Sequence, residues 1–332
     1  MVNDDLVLKT VNLKKSFTTK KKIVEAVRGV DIVVKKGQIY GFLGPNGAGK
    51  TTTLRMLTTL LPIDEGEAMV AGYDVKRQPG EVRKHIGYVS QLGGADDQAT
   101  GRDDLILQAQ LYGVSLSASK KRAKELIDAL QLSEYADRKV TTYSGGQRRR
   151  LDIAIGIMHR PDILFLDEPT TGLDPQNRAN MWQQIRMLRD NGTTIFLTTH
   201  YLEEADILSD YLTIMDHGKI VAEGTPRELK RQISGDAVII KPKQEGKTIE
   251  KIQKYVSNLS FVKDTRVEGE SIHLYVEDGT QALPQIFSLL ESKKIGLDTV
   301  SLAEPSLDDV FLKQTGRSLR DGEKKTEGGA RG

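Results

Sequence analysis

Uninterrupted apolar runs alternate with segments of helical periodicity along most of the chain. Residues 39–43 and 163–166 are apolar throughout, which is typical of central strands in a parallel sheet that is covered on both faces. Apolar positions recur with the period of a helix at 101–113, 117–131 and 178–191. This alternation of strands and helices predicts an α/β domain with a mostly parallel sheet.

The two ends of the chain have other patterns. Residues 6–13 and 24–34 alternate apolar and polar positions, which predicts antiparallel strands ahead of the first buried strand. After residue 235 the predicted elements follow the order β-α-β-β-α-β, which suggests a small ferredoxin-like module over 236–316. The tail, 317–332, is mostly glycine and charged residues, and we expect it to be disordered.

The strand at 39–43 leads straight into a glycine-rich loop. Residues 44–51, Gly-Pro-Asn-Gly-Ala-Gly-Lys-Thr, fit the pattern G-x-x-x-x-G-K-[ST], and a helix is predicted to follow from Thr52. The glycines let backbone N–H groups turn toward a phosphate, and the helix N-terminus adds partial positive charge. Lys50 can reach the β- and γ-phosphates of a nucleotide, and the Thr51 hydroxyl can bind Mg²⁺. The alternative, a chance glycine-rich turn, leaves the strand and helix on either side unexplained.

Two acidic residues end the second apolar run. Asp167 and Glu168 follow residues 163–166, so a central strand would deliver both carboxylates beside the phosphate loop at 44–51. There Asp167 would bind Mg²⁺ through water, and Glu168 would orient and polarise the attacking water. The alternative is a strand that ends in a solvated turn, and the phosphate loop upstream favours the metal-and-water site.

A second segment offers another helix N-terminus. Residues 143–147, Tyr-Ser-Gly-Gly-Gln, predict a helix start with Ser144 as its N-cap. Taken alone, this segment fits an ordinary capped helix equally well. Its chemistry also suits a phosphate, in a chain that already has one phosphate loop. Two half-sites of this kind would let one copy of the chain share ATP with a second copy.

Composition narrows the classes of function. The formal net charge is only +2 over 332 residues, which gives no reason to expect nucleic acid or an anionic membrane as a direct partner. There is no cysteine, so we expect no disulfide, no thiol catalysis and no cysteine-ligated metal. No apolar run reaches the ~18 residues of a membrane span, and the N-terminus lacks the pattern of a signal peptide. We therefore expect a cytoplasmic chain that meets a membrane only through a partner.

The chain resembles the nucleotide-binding subunits of ATP-binding cassette (ABC) transporters. The motifs occur in that family's order, namely the phosphate loop, Gln91 at a strand end, the signature segment 143–147, Asp167-Glu168, Gly172-Leu-Asp174 and His200. It is most similar to the ATPase subunits of the daunorubicin/doxorubicin-resistance type of exporter, in the stretches 70–75, 143–152, 198–206, 216–224 and 305–312. Tyr143 stands where the wider family more often has leucine, a departure that does not affect the expected ATP binding.

The resemblance implies a fold and a set of partners. The fold is a P-loop NTPase cassette over 1–235, with a mostly parallel sheet core, an antiparallel N-terminal β subdomain and a helical subdomain at about 92–160. Two cassettes would pair head to tail as a homodimer, and a separately encoded integral membrane permease would hold them at the cytoplasmic face of the plasma membrane. The implied activity is ATP hydrolysis that powers efflux of a drug-like or other hydrophobic compound.

The resemblance also assigns residues to the site. The residues it places around ATP in one subunit are Phe17, Gly44, Pro45, Asn46, Gly47, Ala48, Gly49, Lys50, Thr51 and Thr52. The residues it places against the partner's ATP are Ser144, Gly145, Gly146, Gln147 and Asp174. Gln91 would complete a Mg²⁺ shell with Thr51 and Asp167 and sense the permease, while Glu168 acts on the water and His200 contacts the γ-phosphate. Phe17, in a basic stretch at 14–22 predicted as a loop, would stack on adenine, although a lone aromatic there is often a core anchor.

Two alternatives remain at the level of sequence. A soluble cassette protein could act on ribosomes or DNA, but such proteins usually carry two cassettes or a long coiled-coil insertion, and the near-neutral charge does not favour a polyanion. The C-terminal module could be a regulatory binding domain, a dimer brace or a stabilising appendage, and fold alone does not decide between them.

Overall fold

The computed structural model describes residues 5–19, 22–232, 236–243, 247–257, 259–303 and 305–319. They divide into two compact units, the first ending at Pro226 and the second beginning at Arg227, a little before the predicted boundary at 235. Within these ranges no helix has the length and apolar character needed to cross a membrane.

The tail predicted to be disordered falls mainly on residues 320–332, which lie outside the described ranges. Ordered structure nevertheless continues past the predicted start of the tail at 317. Leu319 is buried, and its N–H donates to Asp308 Oδ1 over 3.0 Å. The prediction is wrong for these first residues, because an apolar side chain and a buried acceptor hold a segment whose composition is otherwise polar.

The first unit contains two sheets and the helices between their strands. Its strands are β1 (Leu6–Thr19), β2 (Lys22–Val30), β3 (Val33–Lys35), β4 (Ile39–Leu43), β5 (Glu65–Val70), β6 (Tyr73–Asp74), β7 (Ile86–Val89), β8 (Ile163–Asp167), β9 (Thr194–Thr199), β10 (Tyr211–Asp216) and β11 (Lys219–Gly224). Its helices are α1 (Lys50–Leu57), α2 (Pro79–His85), α3 (Gly101–Leu111), α4 (Leu116–Ala129), α5 (Gly145–Gly156), α6 (Pro175–Asp190) and α7 (Leu202–Leu208).

The larger sheet has the order β11-β10-β4-β9-β8-β7. Its strands pair in parallel except at the edge, where β11 pairs antiparallel with β10. Strands β4, β8 and β9 are buried along their whole length. Successive side chains join opposite cores, since Leu164 and Leu166 belong to one apolar cluster and Phe165 to the other. Burial on both faces explains the uninterrupted apolar runs, and the predicted α/β fold is confirmed.

The smaller sheet is antiparallel, in the order β2-β1-β5-β6 with β3 paired to β1. The loop predicted at 14–22 is wrong, because β1 continues through this basic stretch to Thr19. Its pairing with β2 shifts register between Leu13 and Lys14 and again between Lys15 and Ser16. The hydrogen bonds between β1 and β2 satisfy the backbone of this segment whichever side chains it carries. Its polar composition is therefore a poor guide to whether it forms a strand. Phe17 therefore lies on a strand, opposite Val24.

Helices α3, α4 and α5 occupy the segment predicted to be mainly helical. Each begins at a side-chain cap, Thr100, Ser115 and Ser144 respectively. Their apolar faces share a core with the central sheet that includes Leu105 and Leu126. The start of α5 at Ser144 is the position predicted from the sequence.

The second unit is a four-stranded antiparallel sheet with helices. Its main elements are β12 (Asp236–Pro242), α9 (Lys247–Val256), β13 (Val262–Glu268), β14 (Ser271–Val276), α10 (Gly279–Ser292) and β15 (Leu297–Ala303), flanked by α8 (Pro226–Arg231) and α11 (Leu307–Thr315). The sheet order is β13-β14-β12-β15. Residues of α9 and α10, such as Ile252 and Ile286, form a core with Val238 and Leu274 of the sheet. This is the predicted β-α-β-β-α-β order.

Candidate nucleotide site

The phosphate loop joins β4 to α1 in a backbone path that needs glycine. Gly47 and Gly49 have φ of +80° and +108°, in the region that residues with a Cβ rarely adopt. A Cβ on Gly49 would also collide with the carbonyl oxygen of Ala26. The Nζ of Lys50 folds back over the loop and donates to Gly44 O at 2.7 Å. The loop is therefore a tight cradle with a buried ammonium group at its centre.

The acidic end of β8 lies against this cradle. Asp167 Oδ1 accepts from the hydroxyl of Thr51 at 3.1 Å and from the hydroxyl of Thr198 at 2.7 Å. The backbone N–H of Glu168 donates to both the carbonyl oxygen and the hydroxyl of Thr198, each at 3.1 Å. Strands β8 and β9 are parallel neighbours, so their carboxyl ends bring these groups to the same edge of the sheet.

Glu168 is the meeting point of the predicted catalytic residues. Its Oε1 lies 3.4 Å from Lys50 Nζ, and its Oε2 accepts from Gln91 Nε2 at 3.3 Å and from the Thr171 hydroxyl at 3.2 Å. The Nδ1 of His200 lies 3.1 Å from Oε2, within ion-pair distance but without hydrogen-bond geometry. Burial alone would raise the pKa of Glu168, but nearby His200 and the charge of Lys50 outweigh it and lower the pKa to about 2.

These groups line one open cleft of about 670 Å³. The residues around it are Phe17, Ala26, Asn46, Gly47, Gly49, Lys50, Thr51, Thr52, Gln91, Glu168, Thr171 and His200. Phe17 is 39% exposed. Burial lowers the pKa of Lys50, and the charge of Glu168 opposes that shift. The cleft thus combines an aromatic face, a phosphate cradle and a charged end.

The signature segment lies apart from the residues that line this cleft. Ser144 caps α5, and its backbone N–H and side chain exchange hydrogen bonds with Gln147 as a capping box. Ser144 and Gly145 are exposed, whereas Gly146 packs so closely on Asn177 that a Cβ would collide with its amide. Asp174 caps α6, and hydrogen bonds from Asn177 lower its pKa. These two helix starts are neighbours, and neither lines the cleft that holds the chain's own phosphate cradle.

Three residues at the site were not singled out from the sequence. Thr198 bonds both Asp167 at the end of β8 and Glu168 directly after it. Thr171 bonds the side chain of Glu168, and Arg149 bonds the backbone carbonyls of Asp167 and Pro169. Thr198 is polar at the end of an otherwise apolar strand, a signal that could have marked it. Arg149 is one of three consecutive arginines, and nothing in that run distinguishes the buried one.

Two family models match the chain. The model for ABC transporters matches residues 27–171, and the model for the C-terminal domain of DrrA1-3-like ATP-binding proteins matches residues 224–315. The two matches fall on the cassette with the cleft and on the second, smaller unit. The predicted resemblance is confirmed.

Individual proteins are similar over most of the chain. The daunorubicin resistance ATP-binding protein DrrA2 of Streptomyces coeruleorubidus is 42% identical over 301 residues, which cover 90% of this chain and 93% of that protein. The doxorubicin resistance ATP-binding protein DrrA of Mycobacterium tuberculosis (strain CDC 1551 / Oshkosh) is 40% identical over 318 residues, which cover 95% of each.

A solved structure shares the fold of the first unit. The dimeric, post-hydrolysis structure of the ATP-binding cassette MJ0796 bound to ADP and Pi superimposes with a TM-score of 0.61 at 25% identity, over 66% of this chain and 98% of that one. Fold, motif order and similarity over 90% or more of the chain agree, and the chain therefore belongs to the ATP-binding subunits of ABC transporters, ATPases of the daunorubicin and doxorubicin resistance type.

Proposed function

We propose that this cleft binds ATP and is the place where its γ-phosphate is hydrolysed. The observation that carries the proposal is the convergence of Lys50, Gln91 and His200 on the single carboxylate of Glu168. In this assignment the backbone of residues 44–52 cradles the phosphates, and Lys50 binds the β- and γ-phosphates as a point charge. The exposed ring of Phe17 at the cleft supports a stacking role against adenine.

The donor set beside the cradle fits Mg²⁺. Thr51 and Asp167 offer a hydroxyl and a carboxylate that already lie within 3.1 Å of each other, and these are hard oxygen ligands. In the described part of the chain no three or more Asp, Glu, His or Cys side chains form a metal cage of their own. Mg²⁺ at nucleotide sites is usually held by one or two protein oxygens together with the phosphates. Thr51, Asp167 and Gln91 would hold the ion, which would neutralise charge that develops on the phosphates.

Glu168 is proposed to orient and polarise the attacking water. Its pKa of about 2 keeps the side chain ionised at neutral pH, which a hydrogen-bond acceptor for water requires. Gln91 and Thr171 donate to the same oxygen and so fix the direction of the carboxylate. His200, 3.1 Å from that carboxylate, is proposed to contact the γ-phosphate.

A second copy of the chain is proposed to complete each site. The exposed N-terminus of α5 at Ser144 and Gly145 does not line the chain's own cleft, and Asp174 lies at the neighbouring start of α6. A helix N-terminus with free backbone donors suits the phosphate of a partner's ATP. The dimeric state of the MJ0796 cassette, solved with ADP and Pi, supports a homodimer here, and the head-to-tail arrangement is part of this proposal. ATP binding would then close the dimer and hydrolysis would release it.

We propose a membrane partner and a class of cargo by similarity to the relatives. The curated relatives are named as resistance proteins for daunorubicin and doxorubicin, which supports efflux of a drug-like or other hydrophobic compound. In this proposal a separate integral permease carries that compound, and the ATPase is peripheral on the cytoplasmic face of the membrane. We propose no role for nucleic acid.

The test is the Glu168→Gln variant of the full chain, assayed with ATP and Mg²⁺. Loss of the acceptor charge should lower turnover at least about 100-fold while ATP still binds. ATP should then hold the variant as a dimer, which size-exclusion chromatography with light scattering detects. Turnover equal to that of the wild type would contradict the role assigned to Glu168.

A further inference from the structure

Arg149 bonds the backbone on both sides of Glu168. Its side chain is 7% exposed. The Nε donates to Pro169 O at 2.8 Å and the Nη2 donates to Asp167 O at 3.1 Å. The two acceptors belong to the residues immediately before and after Glu168. A single guanidinium therefore holds the turn from which the carboxylate projects.

The backbone turn at Glu168 needs contacts that stabilise it. Glu168 has φ of +47°, in the left-handed region that is unfavourable for a residue with a Cβ. Such a conformation persists only where the surroundings determine it. Thr198 fixes the N–H of Glu168 from β9, and Arg149 fixes the two flanking carbonyls from α5. The planar fork of arginine can bond several acceptors in a fixed geometry, which the compact ammonium of lysine cannot do.

The third bond of Arg149 reaches the segment that carries Gln91. The Nη1 donates to Ser90 O at 2.6 Å, and Ser90 directly precedes Gln91. Gln91 in turn donates to Glu168 Oε2. Arg149 thus bonds the backbone of residues directly adjacent to each partner in this hydrogen bond.

Arg149 also lies on the signature helix. It stands about one turn after Gly145, the first residue of α5, whose N-cap is Ser144. Movement of this helix start would carry the guanidinium with it, because an α-helix of this length moves as a rigid element. The bonds to the two sides of Glu168 make the carboxylate sensitive to where α5 lies.

We propose that Arg149 is a positioning residue for hydrolysis, which couples the position of the signature helix to the carboxylate of Glu168. The inference rests on the proposed function, since it takes Glu168 to act on water. Because α5 is proposed to meet the partner's ATP while Glu168 serves the chain's own ATP, Arg149 links the two sites of a dimer.

Arg149→Lys keeps the charge and removes the fork. We expect kcat to fall about 10- to 100-fold, as for a displaced catalytic group, while the Kd for ATP stays within about twofold. Arg148→Lys is the matched control, because Arg148 lies on the same helix as Arg149. It donates to Asp97 and to Ala95 O, and to none of the carbonyls around Glu168. The control should retain both kcat and Kd within about twofold. Wild-type kcat in Arg149→Lys would overturn the proposal.

A double-variant cycle separates positioning from general damage. Single-turnover hydrolysis is measured for Arg149→Lys in the wild-type and in the Glu168→Gln background. If Arg149 acts through Glu168, Arg149→Lys should lower the single-turnover rate by less than about twofold in the Glu168→Gln background, where the carboxylate is absent. An equal loss in both backgrounds, or a matching loss of ATP binding, would refute the proposal. Should Arg149→Lys fail to fold, Arg149→Gln, which keeps two planar N–H donors, is held to the same outcomes.

The same cycle tells the two proposals apart. Normal hydrolysis by Glu168→Gln alone would refute the proposed function at its base. Impaired Glu168→Gln together with unimpaired Arg149→Lys would leave that function standing and remove only the inference about Arg149.

Discussion

Lys50 and Glu168 form a buried ion pair at the centre of the cleft, with Nζ 3.4 Å from Oε1. One residue begins α1 and the other follows β8, so the pair ties the phosphate loop to the acidic edge of the sheet. Each charge lowers the cost of burying the other. The pair also keeps Glu168 ionised, which the proposed role in hydrolysis requires.

The pH dependence of stability should reveal this pair. The pKa of Glu168 is lowered from 4.5 to about 2 in the folded chain, so its ionisation stabilises the fold above the unfolded value. That contribution, about 3 kcal/mol from the size of the shift, is lost as the pH falls from about 4.5 toward 2. Urea unfolding can be followed through Trp182, the only tryptophan. The free energy of unfolding should therefore fall more steeply with decreasing pH in the wild type than in Glu168→Gln. If the free energy of unfolding changed equally with pH in both proteins, Glu168 would not be held in the charged form.

Lys50→Ala should abolish useful nucleotide binding. The ammonium is the proposed partner of the β- and γ-phosphates, and its loss should raise the Kd for ATP at least about 100-fold. The substitution also leaves Glu168 buried without its cation, which should cost about 3–5 kcal/mol of stability. Lys50→Ala combined with Glu168→Gln should regain stability but not ATP binding. Calorimetric titration measures the affinity, and unchanged affinity in the single variant would argue against the loop as a nucleotide site.

Glu204 is a buried acid whose pKa is raised by burial. It is fully buried, and its Oε1 accepts from the Thr170 hydroxyl at 2.7 Å and from Trp182 Nε1 at 3.1 Å. Because this pKa is raised in the folded chain, the wild type should lose stability relative to Glu204→Gln as the pH rises above the unfolded value of about 4.3. Glu204→Ala should lower the free energy of unfolding by about 2–4 kcal/mol, because it leaves the two donors without an acceptor and opens a cavity. Urea unfolding at several pH values checks both, and a stability difference between the wild type and Glu204→Gln that stays constant with pH would contradict a raised pKa.

Glu204 also shows where sequence reasoning reaches its limit. Glu203 and Glu204 are adjacent and identical, yet the first is exposed and the second buried. The sheet was predictable because strands buried on both faces must be apolar throughout, as in β8. The phosphate loop was predictable because its chemistry is local, so that Lys50 and Thr51 stand at fixed offsets from the glycines.

Contacts between distant segments could not be predicted in the same way. Arg149 acquires its role from carbonyls at Ser90, Asp167 and Pro169, and no spacing in the sequence records that meeting. The basic neighbours of Phe17 predict a loop, but strand pairing depends on the backbone, and a strand segment whose side chains are polar and exposed gives a weak pattern.

Mixing two inactive variants tests whether the site is shared between copies. Lys50→Ala damages the phosphate loop, and Ser144→Asp places a carboxylate where the partner's phosphate is proposed to lie. Aspartate is as good an N-cap as serine, so α5 should still form, and Ser144→Thr, which keeps both cap and hydroxyl, is the control that should hydrolyse ATP.

Each variant alone should be inactive, because both sites of its homodimer carry the same defect. In a mixed dimer both defects fall on one site, and the other combines an intact phosphate loop with an intact signature segment. Random pairing makes half of the dimers mixed, each with one working site of two, so phosphate release should recover to about a quarter of the wild-type rate. If the signature segment served its own chain's ATP, no pairing would restore a site. A mixture that stayed as inactive as its parts would therefore exclude the head-to-tail arrangement.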